Sequence, residues 1–383
     1  MSLTAFRHYL CMNPRYLSAL LRQKIRMRQR CGWIDRCAGT GADTPPPLVY
    51  KFILTGKCNL ACKMCMNIVD RDNRKSGFVR DDFDTVLFKR IVDQIDGTKA
   101  SVILSGGEPM LHCGFGDCIS MLEEKRIATT VCTNGTMLMR HAPLLASTKH
   151  VSLIVSLDGI REVNDAIRGD GVFDEAVSGI RHLRMKRKSL YIGIQHTIQP
   201  ENAATMYRFC SEMTALKVDW ILLNPCWHMS REQADYYCAF MKKTFDITPH
   251  GHEGYIIEYP LDTELFAQQY RRIKNAKWPV QISCYFNNPV DDMRRMLADP
   301  AFFSGNRFCY KQWIRMDIMP DGKVVSCQQF PDIVVGDLLK ERCSEIWNGK
   351  RLKKFRDVIM QGPLPVCNKC APLYLYDGNR RSL

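Results

Sequence analysis

A group of three cysteines restricts what this chain can fold into more than any other feature of its sequence. Cys58, Cys62 and Cys65 lie within eight residues of one another, in the stretch TGKCNLACKMCMN at residues 55–67. Three thiols this close would crowd a regular strand or helix. Gaps of three and two residues suit a loop that wraps a compact group. The stretch is therefore predicted to be a ligand loop.

Zinc and an iron–sulfur cube are the alternatives for what this loop holds. Structural zinc usually takes four Cys or His ligands, and no His or fourth Cys follows closely behind Cys65. In a 4Fe–4S cube, three cysteines bind three irons and leave the fourth iron open to another ligand. The triplet therefore favours a cube with one open iron.

The length and the cysteine content indicate a cytoplasmic protein of two domains with a terminal appendage. The chain has 383 residues and 18 cysteines, and the apolar run YLSALL is too short for a secretory signal. No apolar run reaches the roughly 18 residues that a membrane span needs. In a reducing cytoplasm, clustered cysteines more often bind metal than form disulfides.

The positive charge is concentrated at the start of the chain. The net charge is +14, and residues 1–36 hold eight basic residues against the single acid Asp35. The remainder is only mildly basic, so no nucleic-acid partner is expected. Tyr, Leu and Ile alternate with the Arg and Lys of this basic arm, which is typical of a helix at a membrane surface. A helix packed on the protein is the alternative.

The central part of the chain predicts an α/β fold. Six apolar runs fit strands at residues 49–56, 100–107, 127–135, 151–159, 190–198 and 218–225, with helix-like stretches between them at 81–95, 172–188 and 201–217. This alternation predicts parallel βα units, whose ligands bind beyond the carboxyl ends of the strands. Those ends read TGKC, SGGEP, CTNG and SLDG, so the functional site is expected there.

A second cysteine group lies near the end of the chain. Residues 226–305 show no clear period, whereas residues 307–330 predict a hairpin with PDG as its turn. Cys309, Cys327, Cys367 and Cys370 supply four thiols, enough for a second cube or for zinc. Cys343 falls on a helix-like stretch and is expected to pack.

The CxxxCxxC triplet after the first strand resembles the signature of the radical S-adenosylmethionine (SAM) superfamily. GGEP (106–109), SLDG (156–159) and NDAIRG (164–169) resemble its SAM-binding motifs in the same order. The hairpin, GDL, EIW and the final CxxC resemble its SPASM/twitch auxiliary-cluster domain. The resemblance implies cofactor binding by Gly106, Gly107, Glu108, Pro109, Asn134, Ser156, Asp158 and Arg168. Ser156 would contact the ribose and Arg168 the carboxylate of SAM.

The resemblance also implies a domain organisation. It predicts a partial (β/α)6 barrel of the radical SAM type with a small C-terminal α+β domain of the SPASM/twitch kind. The expected boundaries are 1–47 for the basic helix and linker, 48–225 for the barrel, 226–305 for a connecting segment and 306–383 for the auxiliary domain.

The implied activity is reductive cleavage of SAM and hydrogen abstraction by a 5′-deoxyadenosyl radical. The implied cofactors are a SAM-binding 4Fe–4S cluster on Cys58, Cys62 and Cys65, SAM itself, and an auxiliary 4Fe–4S cluster on Cys309, Cys327, Cys367 and Cys370. An external electron donor such as flavodoxin or ferredoxin would be needed. We expect a small-molecule or lipid-linked substrate, with a ribosomal peptide as the alternative. The alternative to an enzyme is a non-catalytic scaffold that binds zinc or a cluster. The arm would place the protein at the inner membrane surface.

Overall fold

The structure is a computed structural model. It describes residues 14–66, 81–284, 290–299, 302–303, 305–367 and 369–375. The predicted contribution of residues 1–13 to the basic arm lies outside the described residues. Among the helices that are described, none is both long and apolar enough to cross a bilayer.

All six predicted strands are present, and they pair in parallel in chain order. Each is followed by at least one helix, as the alternation of patterns predicts. The strands are β1 (Val49–Thr55), β2 (Ser101–Gly106), β3 (Ala128–Thr133), β4 (Val151–Ser156), β5 (Tyr191–Ile198) and β6 (Trp220–Pro225). The helices are α1 (Pro14–Cys37), α2 (Thr85–Val92), α3 (Phe115–Glu124), α4 (Leu138–Ser147), α5 (Arg161–Arg168), α6 (Val172–Lys186) and α7 (Met206–Ala215).

The strands are apolar on the helix-facing side and more polar on the other. On β3, Thr129 and Val131 are buried, whereas the alternating Thr130 and Cys132 are half-buried. The same alternation recurs on β5, where Gln195 is half-buried. Because successive side chains of a strand point to opposite faces, the half-buried set lines one continuous face. This face forms the lumen of the partial barrel.

The connecting segment adds a seventh parallel strand that the sequence did not predict. Strand β7 (Gln281–Cys284) pairs with β6, and the Nε1 of Trp220 donates to the Oγ of Ser283 at 2.7 Å. With only four residues, β7 is too short to show a periodic pattern. The helices of this segment are α8 (Arg231–Phe245), α9 (Thr263–Asn275) and α10 (Val290–Ala298).

The predicted C-terminal hairpin is part of the same sheet as the barrel strands. Strand β8 (Arg315–Ile318) pairs in parallel with β1, so that Phe52 lies opposite Ile318. The turn contains Gly322 at φ +80°, which only glycine adopts easily. The remaining elements are β9 (Lys323–Val325), β10 (Val334–Asp337), α11 (Cys343–Trp347), α12 (Lys350–Met360) and α13 (Pro372–Leu375). The ten-stranded sheet has the order β10-β9-β8-β1-β2-β3-β4-β5-β6-β7.

Helix α1 packs one face against the rest of the protein. Met27, Cys31 and Ile34 are buried, at the spacing of one helical face. Arg30 donates from Nη1 to the carbonyl of Trp313 at 2.6 Å and from Nη2 to the carbonyl of Pro46 at 2.9 Å. The packed-helix interpretation therefore holds for this inner face of the basic arm.

Candidate functional site

The cysteine triplet follows β1, and the paired glycines Gly106 and Gly107 at the end of β2 lie directly against it. The amide of Gly107 donates to the carbonyl of Thr55 at 2.8 Å. A Cβ on Gly106, which has φ +144°, would lie 2.2 Å from that same oxygen, and one on Gly107 would lie 2.1 Å from the carbonyl oxygen of Lys57. These positions therefore require glycine because the backbone of the cysteine loop passes so close.

Hydrogen-bond donors point at the sulfurs of Cys58 and Cys62. The backbone amide of Leu60 lies 3.4 Å from the Sγ of Cys58, and the Nδ2 of Asn134 lies 3.8 Å from the same atom. The Nη1 of Arg168 lies 3.9 Å from the Sγ of Cys62. Such donors stabilise a thiolate, which is the form that ligates iron.

Burial works against the thiolate when no metal is bound. It raises the pKa of Cys62 to about 11, while the nearby Arg168 guanidinium opposes the shift. Burial also raises the pKa of Cys58. A bound cation would remove this cost, because metal coordination deprotonates the thiol. The chemistry of the site therefore fits a metal cluster.

Glu108 positions the loop after β3. Its buried carboxylate accepts from the backbone amide of Asn134 at 2.7 Å, from the Oγ1 of Thr133 at 2.8 Å and from the amide of Met110 at 3.2 Å. Burial raises the pKa of Glu108 to about 7, although the three hydrogen bonds oppose this rise by stabilising the carboxylate. Pro109, buried beside it, begins a single 3₁₀ turn. A direct contact of Glu108 or Pro109 with SAM stays a prediction.

We expect Glu108→Gln to destabilise the protein by about 1–3 kcal/mol, because an amide nitrogen would face a buried donor where a carboxylate oxygen now accepts. Urea unfolding of the reconstituted protein measures this. Glu124→Gln, an exposed change at the end of α3, is the matched control and should have no effect. Equal stability of the two variants would contradict the positioning role.

A buried ion pair lies beyond β4. The Oδ2 of Asp158 is 2.6 Å from the Nη2 of Arg168, and its Oδ1 accepts from the amide of Thr197 at 2.6 Å. Burial disfavours the charged guanidinium, but Asp158 and Cys62 outweigh that effect and raise the pKa of Arg168. Ser156, at the end of β4, is half-buried on the lumen side. The structure thus brings Asp158 and Arg168 beside the cysteine loop.

Several polar atoms at this edge of the sheet are buried and lack a hydrogen-bond partner among the described residues. They include the Oγ of Ser105, the Nε of Arg168 and the Nε2 of Gln199. Buried polar groups are normally paired, so a bound molecule with polar groups would complete them. SAM carries a carboxylate, an amine and ribose hydroxyls. The residues at this edge therefore fit such a ligand.

The four C-terminal cysteines come together in a second buried site. Cys309, Cys367 and Cys370 are buried and Cys327 is half-buried. The pKa of Cys370 is raised well above its usual value by burial and by charge interactions with the other three. Cys343 is buried on α11, away from this set, and its amide donates to the Oε1 of Gln94. It is a packing residue, as expected.

Lys311 supplies positive charge to the second site and was missed by the sequence reasoning. Its Nζ lies 2.7 Å from the Oδ2 of Asp317 and donates to the carbonyl of Ser326 at 2.7 Å. Burial lowers its pKa, but Asp317 and Cys327 outweigh burial, so that the pKa of Lys311 rises. A fully buried ammonium beside four thiols favours their thiolate form. The set therefore fits an anionic cluster.

Within the described ranges, no group of three or more Cys, His, Asp or Glu side chains is arranged to hold a single metal ion. A 4Fe–4S cube does not require such an arrangement, because each of its cysteines binds a different iron.

A bridge of side chains connects the barrel edge to the second cysteine site. The Nζ of Lys369, which lies between Cys367 and Cys370 in the chain, donates to the Nε2 of His228 at 2.8 Å. His228 stacks on Tyr259 with ring centroids 4.2 Å apart. His228 lies just beyond the end of β6, and nothing in the local sequence around Lys369 or Tyr259 indicated their contribution.

His196 does not reach the lumen. Its ring is buried and packs against Phe209 of α7 at 4.5 Å, which puts it between the sheet and the helices. Gln195, one residue earlier, is on the half-buried lumen side. Cys226 is buried just after β6, and burial raises its pKa to about 12. His196 is thus a buried residue beneath the helices, and Cys226 is a buried residue at the rim.

Two family models match the chain. Residues 52–210 match the radical SAM superfamily, and residues 309–371 match SPASM, an iron–sulfur cluster-binding domain. The radical SAM match implies a 4Fe–4S cluster and SAM, and the SPASM match implies auxiliary iron–sulfur clusters.

Curated relatives match mainly in the first of these regions. The chain is 31% identical over 163 residues to the Fe-coproporphyrin III synthase of Methanosarcina barkeri, covering 42% of this chain and 39% of that protein. It is 34% identical over 146 residues to the mycofactocin maturase MftC of Mycobacterium tuberculosis, covering 37% of this chain and 35% of that protein. The matches thus span little more than a third of these relatives.

Solved structures share the fold. Streptococcus suis SuiB bound to S-adenosylmethionine gives a TM-score of 0.60 at 16% identity, covering 80% of this chain and 67% of that one. The native anSMEcpe with bound AdoMet gives a TM-score of 0.56 at 18% identity, covering 82% of this chain and 84% of that one. The predicted radical SAM barrel is thereby confirmed as the fold.

Proposed function

We propose that this chain, whose residues 52–210 and 309–371 match the radical SAM and SPASM family models, is an enzyme that cleaves SAM reductively and abstracts hydrogen from a substrate carbon. The observation that carries this proposal is the loop of Cys58, Cys62 and Cys65, whose sulfurs face Asn134 and Arg168 at the carboxyl edge of the sheet. When bound there, a 4Fe–4S cluster supplies the electron that converts SAM into methionine and a 5′-deoxyadenosyl radical.

The residues around the loop would hold SAM in place. We assign the ribose to Ser156 and the carboxylate to Arg168, whose buried Nε is available for a further acceptor. Arg168 is held rigid by Asp158 and can offer a charge-assisted bond. Glu108 fixes the loop of Asn134, and the two glycines bring the cysteine loop against β2.

We propose a small-molecule or lipid-linked substrate that carries an anionic group. Lys51 projects into the lumen from β1, and burial with the nearby Arg315 charge lowers its pKa to about 8. Lys369 is 3% exposed and binds the neutral partner His228, and in the described part of the chain no carboxylate lies within ion-pair distance of it. A carboxylate or phosphate on the substrate would compensate the charge of such a buried lysine. The name of the Fe-coproporphyrin III synthase supports a small-molecule substrate.

A peptide substrate is the second candidate. Relatives include a mycofactocin maturase, and SuiB has been solved bound to its precursor peptide SuiA. The SuiB similarity covers 91% of this chain in that complex. We also propose an external electron donor of the flavodoxin or ferredoxin kind, and contact of the basic arm with an anionic membrane.

Deuterium transfer tests the activity without knowledge of the substrate. Reduced, reconstituted protein should form 5′-deoxyadenosine from SAM, and deuterated cell-extract fractions that contain the substrate should transfer deuterium into it. We expect the active fraction to be a small-molecule or lipid fraction. Activity confined to a protease-sensitive fraction would establish the peptide candidate instead. No 5′-deoxyadenosine under any condition would overturn the radical reaction.

Lys369→Met separates substrate binding from SAM cleavage. It should abolish deuterium transfer while 5′-deoxyadenosine still forms, because the barrel site is intact. Lys354→Met, an exposed lysine on α12, is the control and should transfer deuterium normally. Unchanged transfer with Lys369→Met would rule out its role as an anion-binding residue.

A further inference from the structure

A cavity lined by cations lies on the face of the barrel opposite the cysteine sites. It has a volume of about 400 Å³ and is bounded by α1 and by the residues that precede β2, β3 and β4. Parallel strands begin at this edge, so the cavity lies at the far end of the sheet from the proposed SAM site. The basic side chains that line it are Arg22, Arg26, Lys99, Lys125, Arg126, Lys149 and His150.

Four of these cations have no carboxylate within ion-pair distance in the described chain. Lys99 pairs with Asp96, Lys125 with Asp93 and His150 with Glu123. No such pair involves the remaining cations, which are Arg22, Arg26, Arg126 and Lys149. Among the described residues, no Asp or Glu lines the cavity. The cavity thus carries uncompensated positive charge from α1 and from two loops of the barrel.

The exposed side of α1 adds apolar side chains beside these cations. Leu21 is 52% exposed and Ile25 is 56% exposed, although both are large hydrophobic residues. At 100° per residue they lie on the helix next to Arg22 and Arg26. The inner face of α1 is fixed to the barrel, where the Nε2 of Gln23 donates to the Oγ of Ser101 at 2.8 Å. Aliphatic side chains and cations therefore share one outward surface.

The charge of α1 is itself unfavourable without an anionic partner. The helix contains seven basic residues and one acidic residue. Arg22 and Arg26, like Lys24 and Arg28, are four residues apart, and like charges at that spacing repel. Burial and the Arg28 charge lower the pKa of Lys24. An anionic surface would relieve this repulsion.

We propose that this face binds an anionic phospholipid membrane, with a lipid phosphate in the cavity and Leu21 and Ile25 inserted among the acyl chains. Nucleic acid fits less well, because the described residues that line the cavity include no Phe, Tyr or Trp on which a base could stack. The proposal deepens the membrane contact proposed for the basic arm. It does not depend on the radical chemistry.

Vesicle sedimentation of the full-length reconstituted protein tests the site. Deleting the arm would expose Met27, Cys31 and Ile34, so point variants are used. Arg126→Gln/Lys149→Gln changes the cavity without touching α1. Since each basic residue near an anionic surface contributes on the order of 1 kcal/mol, the partition coefficient should fall about 10-fold or more.

The matched control is Lys350→Gln/Arg351→Gln, which removes the same charge from exposed positions on α12 outside the cavity. It should bind vesicles of phosphatidylcholine with phosphatidylglycerol as wild type does. Leu21→Ser/Ile25→Ser should weaken the binding that persists at high salt. SAM cleavage without vesicles should be unchanged in all three variants, so a failure here is distinct from a failure of the proposed chemistry.

Two results would overturn the proposal. An equal loss with the cavity variant and the control would show that only net charge matters. Binding of inorganic phosphate to the cavity, without sedimentation on anionic vesicles, would show that a free anion and not a membrane is the ligand.

Discussion

Replacing Cys58, Cys62 and Cys65 together with alanine should abolish formation of 5′-deoxyadenosine and remove half of the iron. Two cubes give about eight irons in the wild type, and one cube leaves about four. The loss of activity should be complete, because only a cube held by three cysteines would leave an iron open to SAM. Iron and sulfide analysis after anaerobic reconstitution, combined with product analysis, measures both effects.

Cys367→Ala/Cys370→Ala is the matched control for this triple variant. It should also lose about half of the iron. It should still form some 5′-deoxyadenosine uncoupled from substrate, because the site beside Arg168 is unchanged. Stoichiometric zinc without sulfide in the wild type would contradict the cluster assignment at both sites. Loss of all SAM cleavage in the control, with activity kept in the triple variant, would reverse the two roles.

Arg168→Lys should lower SAM affinity while leaving the fold largely intact. Lysine keeps a positive charge for Asp158, which is fully buried. It cannot provide the forked donors or the Nε that the guanidinium offers. Loss of one charge-assisted hydrogen bond predicts about 10-fold weaker SAM binding. Equilibrium dialysis with labelled SAM measures the affinity.

Two further substitutions make that result specific. Arg168→Met leaves the Asp158 carboxylate buried and unpaired, and should destabilise the protein by about 3–5 kcal/mol in urea unfolding. Arg161→Lys, on the exposed side of the same helix, should affect neither property. Full SAM affinity in Arg168→Lys would show that the arginine supports the loop only through Asp158.

The sequence was most informative where a local pattern determines the structure. The apolar runs of β1–β6 are long enough to identify as strands, and the PDG turn identifies the β8–β9 hairpin. Strand β7 has four residues, of which only Cys284 is buried, so no apolar run marks it. Pairing of β8 with β1 joins residues more than 260 positions apart. Such a contact leaves no local pattern.

The site shows the same division. The cysteine triplet and the GGEP motif are each short contiguous stretches that can be recognised in the sequence. The structure places Asn134 next to the sulfur of Cys58 and Arg168 next to the sulfur of Cys62. Lys311 and Lys369 are single lysines in ordinary surroundings, and they matter because folding buries them beside thiols and histidine. Sequence patterns identify ligand loops, whereas the buried charges around them follow from tertiary packing.

The pairing of β8 with β1 limits how proteins of this kind can be recombined. Because β1 lies between β2 and β8, a chimera that exchanges the C-terminal segment alone must rebuild parallel hydrogen bonds along Val49–Phe52. Without them β1 becomes an open edge, which favours aggregation. A working exchange would have to transfer β1 and the cysteine loop together with the hairpin. The two cysteine sites would then be inherited as one unit.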